Sequence, residues 1–395
     1  MPSPSPLLKN VLVLTPVLLL GGTEIQMLSM VRILVKNGYH VDVCCYYEYD
    51  PHIVDDFQSA GAKVELLKLD RSSGKSKSGE IAVLFRSLLS VLNLHRGSIV
   101  HIEYVAPGLV PVIASKISGV ERIFATIHYP RHDLGILELF FVRLAARLCD
   151  EFICNSAATE RSWFGGSILS DASSDLKRYH CTIYNAVDNK KISLLSSSVH
   201  KNAKKRELGI GGEKIVGVVG RLRSEKGHEF LFRAMVNVLH SFPPVRLLLV
   251  GDGPDKIRLQ ALAADLGIEK RIVWAGPKTQ DETFSLYGVM DIVVVPSEFE
   301  GFGLAAAEAM AAGLAVVASD VDGLRDVVQD NSTGILVPYN DSQKLSEAIL
   351  RLLNNDMLSK TMGAAGREKV EQKFSLAQYE SSLLAVYNRY PQTAE

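Results

Sequence analysis

Short runs of β-branched and other apolar residues alternate with helical spacers along almost the whole chain, and the pattern occurs twice. In the first half the runs fall at 10–14, 41–46, 62–67, 98–103, 122–127, 151–154 and 180–184. In the second half they fall at 214–219, 245–250, 271–275, 291–295, 315–318 and 334–337. Strands of this length joined through helices specify βαβ units and a parallel sheet. A chain of 395 residues is too long for one ordinary core. The expected fold class is therefore α/β, two Rossmann-like domains facing across a cleft, with ligands at the carboxyl ends of the strands. The expected divisions are 1–188 for the first domain, 189–372 for the second, and 373–395 for a last helix that crosses back to the first. Phe374-Ser375 marks the break before that helix.

Composition removes several classes of function. With 47% hydrophobic and 22% charged residues and a formal net charge of −1, the chain reads as globular and has no basic surface for nucleic acid. The five cysteines, at 44, 45, 149, 154 and 181, sit in apolar contexts without zinc or redox spacing, so reduced buried thiols are expected. Residues 7–20 are apolar but contain Lys9, Asn10 and Pro16 and no small-residue cleavage site, so they read as a core strand, not a signal peptide. No apolar stretch reaches the roughly 18 residues of a membrane span. A cytoplasmic protein is expected, with peripheral contact at the inner membrane face left open. The source of that alternative is 134–148, which carries Ile136, Phe140, Phe141 and Leu144 beside Arg143 and Arg147. It reads as a core helix or as a membrane-surface helix. The basic run Lys201, Lys204, Lys205, Arg206 reads as a solvated face at the start of the second domain.

The strand at 291–295 leads into Glu298-Phe-Glu300-Gly-Phe-Gly-Leu304 and then an alanine-rich helix closed by Gly313. Amides around Phe302 to Leu304 would emerge from the first helical turn and form an anion site. Between Gly301 and Ser319 the only charged residue is Glu308. Buried among Ala, Leu and Met it needs a polar partner. A pair of ligand hydroxyls beside a helix-bound phosphate would serve; the plain alternative is a Glu on the helix's one exposed stripe.

After the strand at 214–219 comes Gly220-Arg221-Leu-Arg223-Ser-Glu225-Lys226-Gly227. It sets cations at the mouth of the same sheet as Glu300 and Glu308. Arg holds a diphosphate bidentately and Lys adds a point charge. Alone the stretch is a charged βα loop; beside the acidic stretch it reads as a phosphate clamp. Arg223 and Glu225 have no such support.

Taken together, these runs with Leu248-Leu-Val-Gly251-Asp-Gly253-Pro and Val273-Trp-Ala-Gly276 resemble glycosyltransferase family 4, also called glycosyl transferases group 1. The two glutamates Glu300 and Glu308 match that family's hallmark. The resemblance covers nearly all of 214–372 and continues, more weakly, through Gly21-Gly22-Thr23-Glu24, His128 and Tyr184-Asn-Ala-Val-Asp188.

The resemblance implies the GT-B fold and transfer of a sugar, with retention, from a nucleotide-diphosphate donor. A UDP-sugar is favoured and a GDP-sugar is the alternative. The acceptor is a glycan, a lipid-linked or polysaccharide chain, or a small molecule. By motif position Arg221 and Lys226 would hold the diphosphate and Glu308 the ribose hydroxyls. Glu300 would face the transferred sugar, with Gly220, Gly301, Phe302, Gly303 and Leu304 near the phosphate and sugar and Gly276 by the base. His128 would contact the sugar or leaving group. Gly21 and Gly22 would let backbone approach closely, and Glu24 and Tyr104 are the acceptor-side candidates. No metal or other cofactor is implied. Asp320-Val-Asp322 spells a metal motif but sits on a turn where solvated carboxylates are common.

The chemistry fits. Cations and amide dipoles would stabilise a departing nucleoside diphosphate, and the transition state would be oxocarbenium-like. Two departures from the family pattern stand out: Ala186 replaces a Gly, and Asp322 and Asp326 frame a segment where a Glu is usual. Rival readings are a nucleotide-sugar epimerase of the same fold and a donor-binding protein without transfer. A dinucleotide oxidoreductase is disfavoured because no Gly-x-Gly-x-x-Gly follows the first strand.

Overall fold

A computed structural model describes residues 9–71, 77–103, 109–131, 135–169 and 179–390. The chain divides into two compact units, Met1–Tyr184 with Tyr379–Glu395, and Asn185–Gln378.

The first unit contains strands β1 (Lys9–Thr15), β2 (Tyr39–Cys45), β3 (Lys63–Leu66), β4 (Ile99–Glu103), β5 (Arg122–Ile127), β6 (Glu151–Cys154) and β7 (Cys181–Thr182). They form one sheet in the order β3-β2-β1-β4-β5-β6-β7, and every pair is parallel. All five residues of β4 are buried, as in a sheet covered on both faces. Leu12, Leu14, Val100, Ile102, Phe152 and Trp163 belong to its core.

The second unit contains β8 (Lys214–Val219), β9 (Val245–Val250), β10 (Ile272–Gly276), β11 (Ile292–Val295), β12 (Ala315–Ser319) and β13 (Gly334–Val337). Its sheet runs β10-β9-β8-β11-β12-β13, again all parallel. In each sheet the order reverses once, at β1/β4 and at β8/β11. Loops on either side of such a point diverge and leave a crevice.

Some expectations are corrected. The second unit begins at Asn185, not after Asp188, because Val187 bridges Ser375 and donates its amide to the Phe374 carbonyl. The same contact keeps 373–378 in the second unit. The helix Leu376–Asn388 then passes into the first unit at Tyr379. There Tyr387 is buried against Tyr39 and Phe124, at ring-centroid distances of 5.5 and 5.0 Å. Arg389 Nη1 lies 3.2 Å from Glu151 Oε1, and Lys36 Nζ lies 3.0 Å from Glu380. Ala186 fits its turn because its φ is not positive, so the glycine it replaces is not needed for conformation.

The basic run is not wholly a solvated face. Lys201 pairs with Asp291 at 3.0 Å, and Lys205 is buried and donates to the Glu213 carbonyl. The helix Ile136–Leu148 buries Val142, Ala145 and Ala146, yet leaves Ile136 81%, Leu137 73%, Phe140 59% and Phe141 47% exposed. It is a core helix with a bare apolar edge. All five cysteines are buried and unpaired. Among the described residues no helix is long and apolar enough to cross a membrane.

Candidate active site

In the second unit the two key loops leave neighbouring strands at the reversal point. After β8, Leu222 is fully buried and its backbone N and O bond Asp252 and Asp255, each at 3.0 Å. That anchor leaves Arg221 and Arg223 exposed on either side. A single 3₁₀ turn, Ser224–Lys226, then ends at Gly227 with φ +67°. A Cβ on Gly227 would lie 1.9 Å from the Pro296 carbonyl, so only glycine lets the two loops touch. The Glu298 amide completes the junction by donating to the Glu225 carbonyl at 2.8 Å. Glu225 thus has a structural part, through its backbone.

The junction brings Lys226 and Glu300 together. Lys226 Nζ donates to Glu300 Oε1 at 2.7 Å, and the Ser297 hydroxyl donates to the same oxygen at 2.8 Å. Both charged side chains keep partial access to solvent.

The helix Leu304–Ala311 starts from Gly303, whose φ of +99° is open to glycine and strained for other residues. Ala306 and Ala307 both donate to the Gly303 carbonyl, at 3.0 and 3.1 Å, so the amides a helix start offers to an anion are those ahead of Ala306. The Phe302 ring is buried against Phe374 at 5.2 Å, so only its backbone is available to a ligand. Gly323 packs under the Glu300 carbonyl, where a Cβ would lie 2.3 Å away. Gly313 ends the helix with φ +80°.

Glu308 has a protein partner that sequence reasoning missed. The Tyr287 hydroxyl donates to Glu308 Oε2 at 2.9 Å. Burial raises the Glu308 carboxyl to about 7, opposed in part by that hydrogen bond. Nothing in the sequence near Tyr287 singles it out, because its helix, Gln280–Tyr287, is joined to Glu308 only by folding. At the edge of the sheet Gly276 has φ +71° and open space where a side chain would be. Trp274 turns into the core against Phe232 at 6.0 Å. Asp320 and Asp322 are both engaged by Arg325, at 2.6 and 3.3 Å.

In the first unit the loop after β1 ends at Gly21. Gly21 caps the helix Gly22–Lys36: it is extended, and its carbonyl accepts the first helical bond, from Ile25. Glu24 is buried in the first turn, where the helix dipole favours its charge. Tyr104 lies outside the described residues. His128 follows β5, and its Nε2 meets Glu103 Oε2 at 2.5 Å. Asn155 Nδ2 holds the His128 carbonyl at 2.9 Å. Glu103 was not anticipated, although a His and a Glu two apart in a wholly apolar run, His101-Ile-Glu103, was a legible sign.

Residues 200–369 match the model for glycosyl transferases group 1, and 20–165 match that for glycosyltransferase family 4. The chain is 36% identical over 190 residues to a D-inositol 3-phosphate glycosyltransferase of Corynebacterium aurimucosum, covering 46% of this chain and 45% of that protein. The match thus spans less than half of that relative. With the protein of the same description from Corynebacterium diphtheriae it is 27% identical over 397 residues, covering 93% of this chain and 89% of the other. Among solved structures, Anabaena Alr3699/HepE in complex with UDP and glucose superposes with a TM-score of 0.78 at 20% identity, covering 96% and 99% of the two chains. Sucrose-phosphate synthase from Thermosynechococcus elongatus gives 0.76 at 22%, covering 96% and 98%. At these identities the likeness is one of fold.

Proposed function

The chain belongs to glycosyltransferase family 4, glycosyl transferases group 1, and on that premise we propose that it moves a sugar, with retention, from a UDP-sugar to a hydroxyl acceptor. The observation that carries this is the meeting of Lys226, Glu300 and the start of the helix Leu304–Ala311 at the β8/β11 reversal point, with Glu308 four residues into that helix. Arg221, Lys226 and the first-turn amides meet the diphosphate. Glu308 takes the ribose hydroxyls, exchanging part of its bond to Tyr287 for them. Glu300 positions the sugar. The bond from the anomeric carbon to the phosphate oxygen breaks as the bond to the acceptor oxygen forms, and the acceptor proton passes to the departing phosphate. The electrostatic stabilisation comes from groups already in place, so the reading needs no metal. UDP is favoured because a neighbour of the same fold is described with UDP and glucose.

The second unit takes the donor and the first the acceptor, a glycan, a lipid-linked chain or a small polyol. The buried thiols suit a reducing cytoplasm. The bare edge of Ile136–Leu148, flanked by exposed Arg143 and Arg147, suits peripheral contact with an anionic bilayer. The test of the donor reading is thermal shift with UDP, GDP and ADP, with and without EDTA. A rise with UDP alone, unchanged by EDTA and lost in Glu308→Ala, supports it, since a ligand of the native state raises the midpoint by mass action. No rise with any nucleotide overturns it.

A further inference from the structure

One face of β4 and β5 carries a line of polar side chains within an otherwise apolar sheet. His101 and Glu103 lie two apart on β4, Thr126 is opposite Glu103 in the register, and His128 follows two residues later. Residues two apart share a face, so all four project the same way. Their side chains connect. His128 Nε2 is 2.5 Å from Glu103 Oε2, and His101 Nε2 is 3.7 Å from Glu103 Oε1. His101 shares hydrogen bonds with Thr126 Oγ1 at 2.7 Å through Nε2 and with the Tyr387 hydroxyl at 2.8 Å through Nδ1. Tyr387 comes from the last helix, as does Tyr379, which is buried near Glu103 and hydrogen-bonded to Gln26.

We propose that Glu103 is a positioning residue that fixes the ring orientation and tautomer of His128 for the transfer reaction. The inference rests on the reading of His128 as a substrate-side residue. Burial alone would raise the Glu103 carboxyl, but the adjoining His128, with His101 behind it, holds it below its ordinary range. Burial pushes His101 down, toward its neutral form. Glu103 is thus a carboxylate, and a carboxylate only accepts. The proton in the short contact therefore belongs to His128 Nε2, so any proton the ring gives up leaves from Nδ1 and the lone pair appears there. A histidine that meets substrate through one nitrogen is set by what its other nitrogen does. An amide in place of the carboxylate can donate instead of accept, which admits the opposite tautomer. In the serine-protease triad that exchange lowers kcat by about 10⁴-fold.

The test combines histidine ¹⁵N spectra of the full-length protein with steady-state kinetics. In the wild type the His128 ring, once titrated to its neutral form, is expected as the Nε2–H tautomer. In Glu103→Gln the spectrum should shift toward Nδ1–H, and kcat should fall ~10²–10⁴-fold while the donor KM moves by less than about threefold. Glu103→Asp should recover a large part of the lost kcat, since it restores the accepting charge. An Nδ1–H wild-type ring overturns the proposal, as does a Gln variant with wild-type kcat. If Glu103→Gln does not fold, the wild-type spectrum still decides. If the wild type transfers no sugar at all, the functional reading fails while the tautomer measurement stands on its own.

Discussion

Lys226 Nζ and Glu300 Oε1 lie 2.7 Å apart, so the cation of the loop after β8 and the second glutamate of the acidic stretch form an ion pair. On the proposed function a diphosphate at Lys226 would share or displace that partner, and Ser297 would remain to hold Glu300. The pair presets both side chains across the Gly227–Pro296 junction.

Replacing Lys226 with Ala should therefore lower kcat/KM with the sugar nucleotide by about 10²–10³-fold, the usual loss for one charge-stabilising donor. Stability should hardly change, since partly exposed ion pairs contribute roughly 0–1 kcal/mol. Kinetics and a thermal melt on one preparation decide it. A variant that loses several degrees and activity together would mean the lysine is architectural.

Glu308 predicts a pH dependence of opposite sign to that of most carboxylates. Its carboxyl sits at about 7 in the fold against 4.5 in the free side chain. Between those values the unfolded chain gives up the proton first, so stability falls as pH rises from 4.5 to 7 and is level above. Glu308→Gln should abolish this slope and be more stable than wild type above pH 7, by ~1–3 kcal/mol. The same variant should bind UDP more weakly. Denaturant melts at pH 5 and 8 measure the first effect, and equal slopes for both proteins would refute it.

Gly227→Ala tests the contact between the loops. The methyl would enter the space of the Pro296 carbonyl at a φ of +67°. A loss of about 2–4 kcal/mol is expected, together with loss of UDP-induced stabilisation, because Lys226 directly precedes the strained point. An alanine variant with a normal response to UDP would show that the loops can separate without harm.

How much of this was legible beforehand depends on how local each feature is. The two parallel sheets were, because every strand has its own apolar run and every crossover its own helical pattern. The placement of Lys226 and Glu300 at one mouth of the second sheet was as well, since each lies on the loop that directly follows a strand. Tyr287 and Glu103 were not singled out, because each acts on a residue distant in sequence or on another strand. The basic run looked solvated because Asp291, the partner of Lys201, is far away in the chain.

The apolar edge at Ile136, Leu137, Phe140 and Phe141 makes a fourth expectation. Wild type should cosediment with vesicles of phosphatidylglycerol and phosphatidylcholine, and Phe140→Glu/Phe141→Glu should release it by about tenfold or more, with an unchanged melting midpoint. Binding equal to that of wild type would remove the membrane from the account.

The last helix has a consequence for biosynthesis. The Tyr387 side chain closes over His101, and its residue is among the last described. A ribosome that has finished Tyr184 has made every strand of the first sheet but not the lid for its polar face. That face keeps its contacts among His101, Glu103, Thr126 and His128 but waits for Tyr387 while the 194 residues of Asn185–Gln378 are made. Domains ordinarily fold in the order in which they emerge. Here the unit begun first is the unit finished last, and a nascent chain stalled before Tyr379 should carry a complete second unit and an unsealed first one.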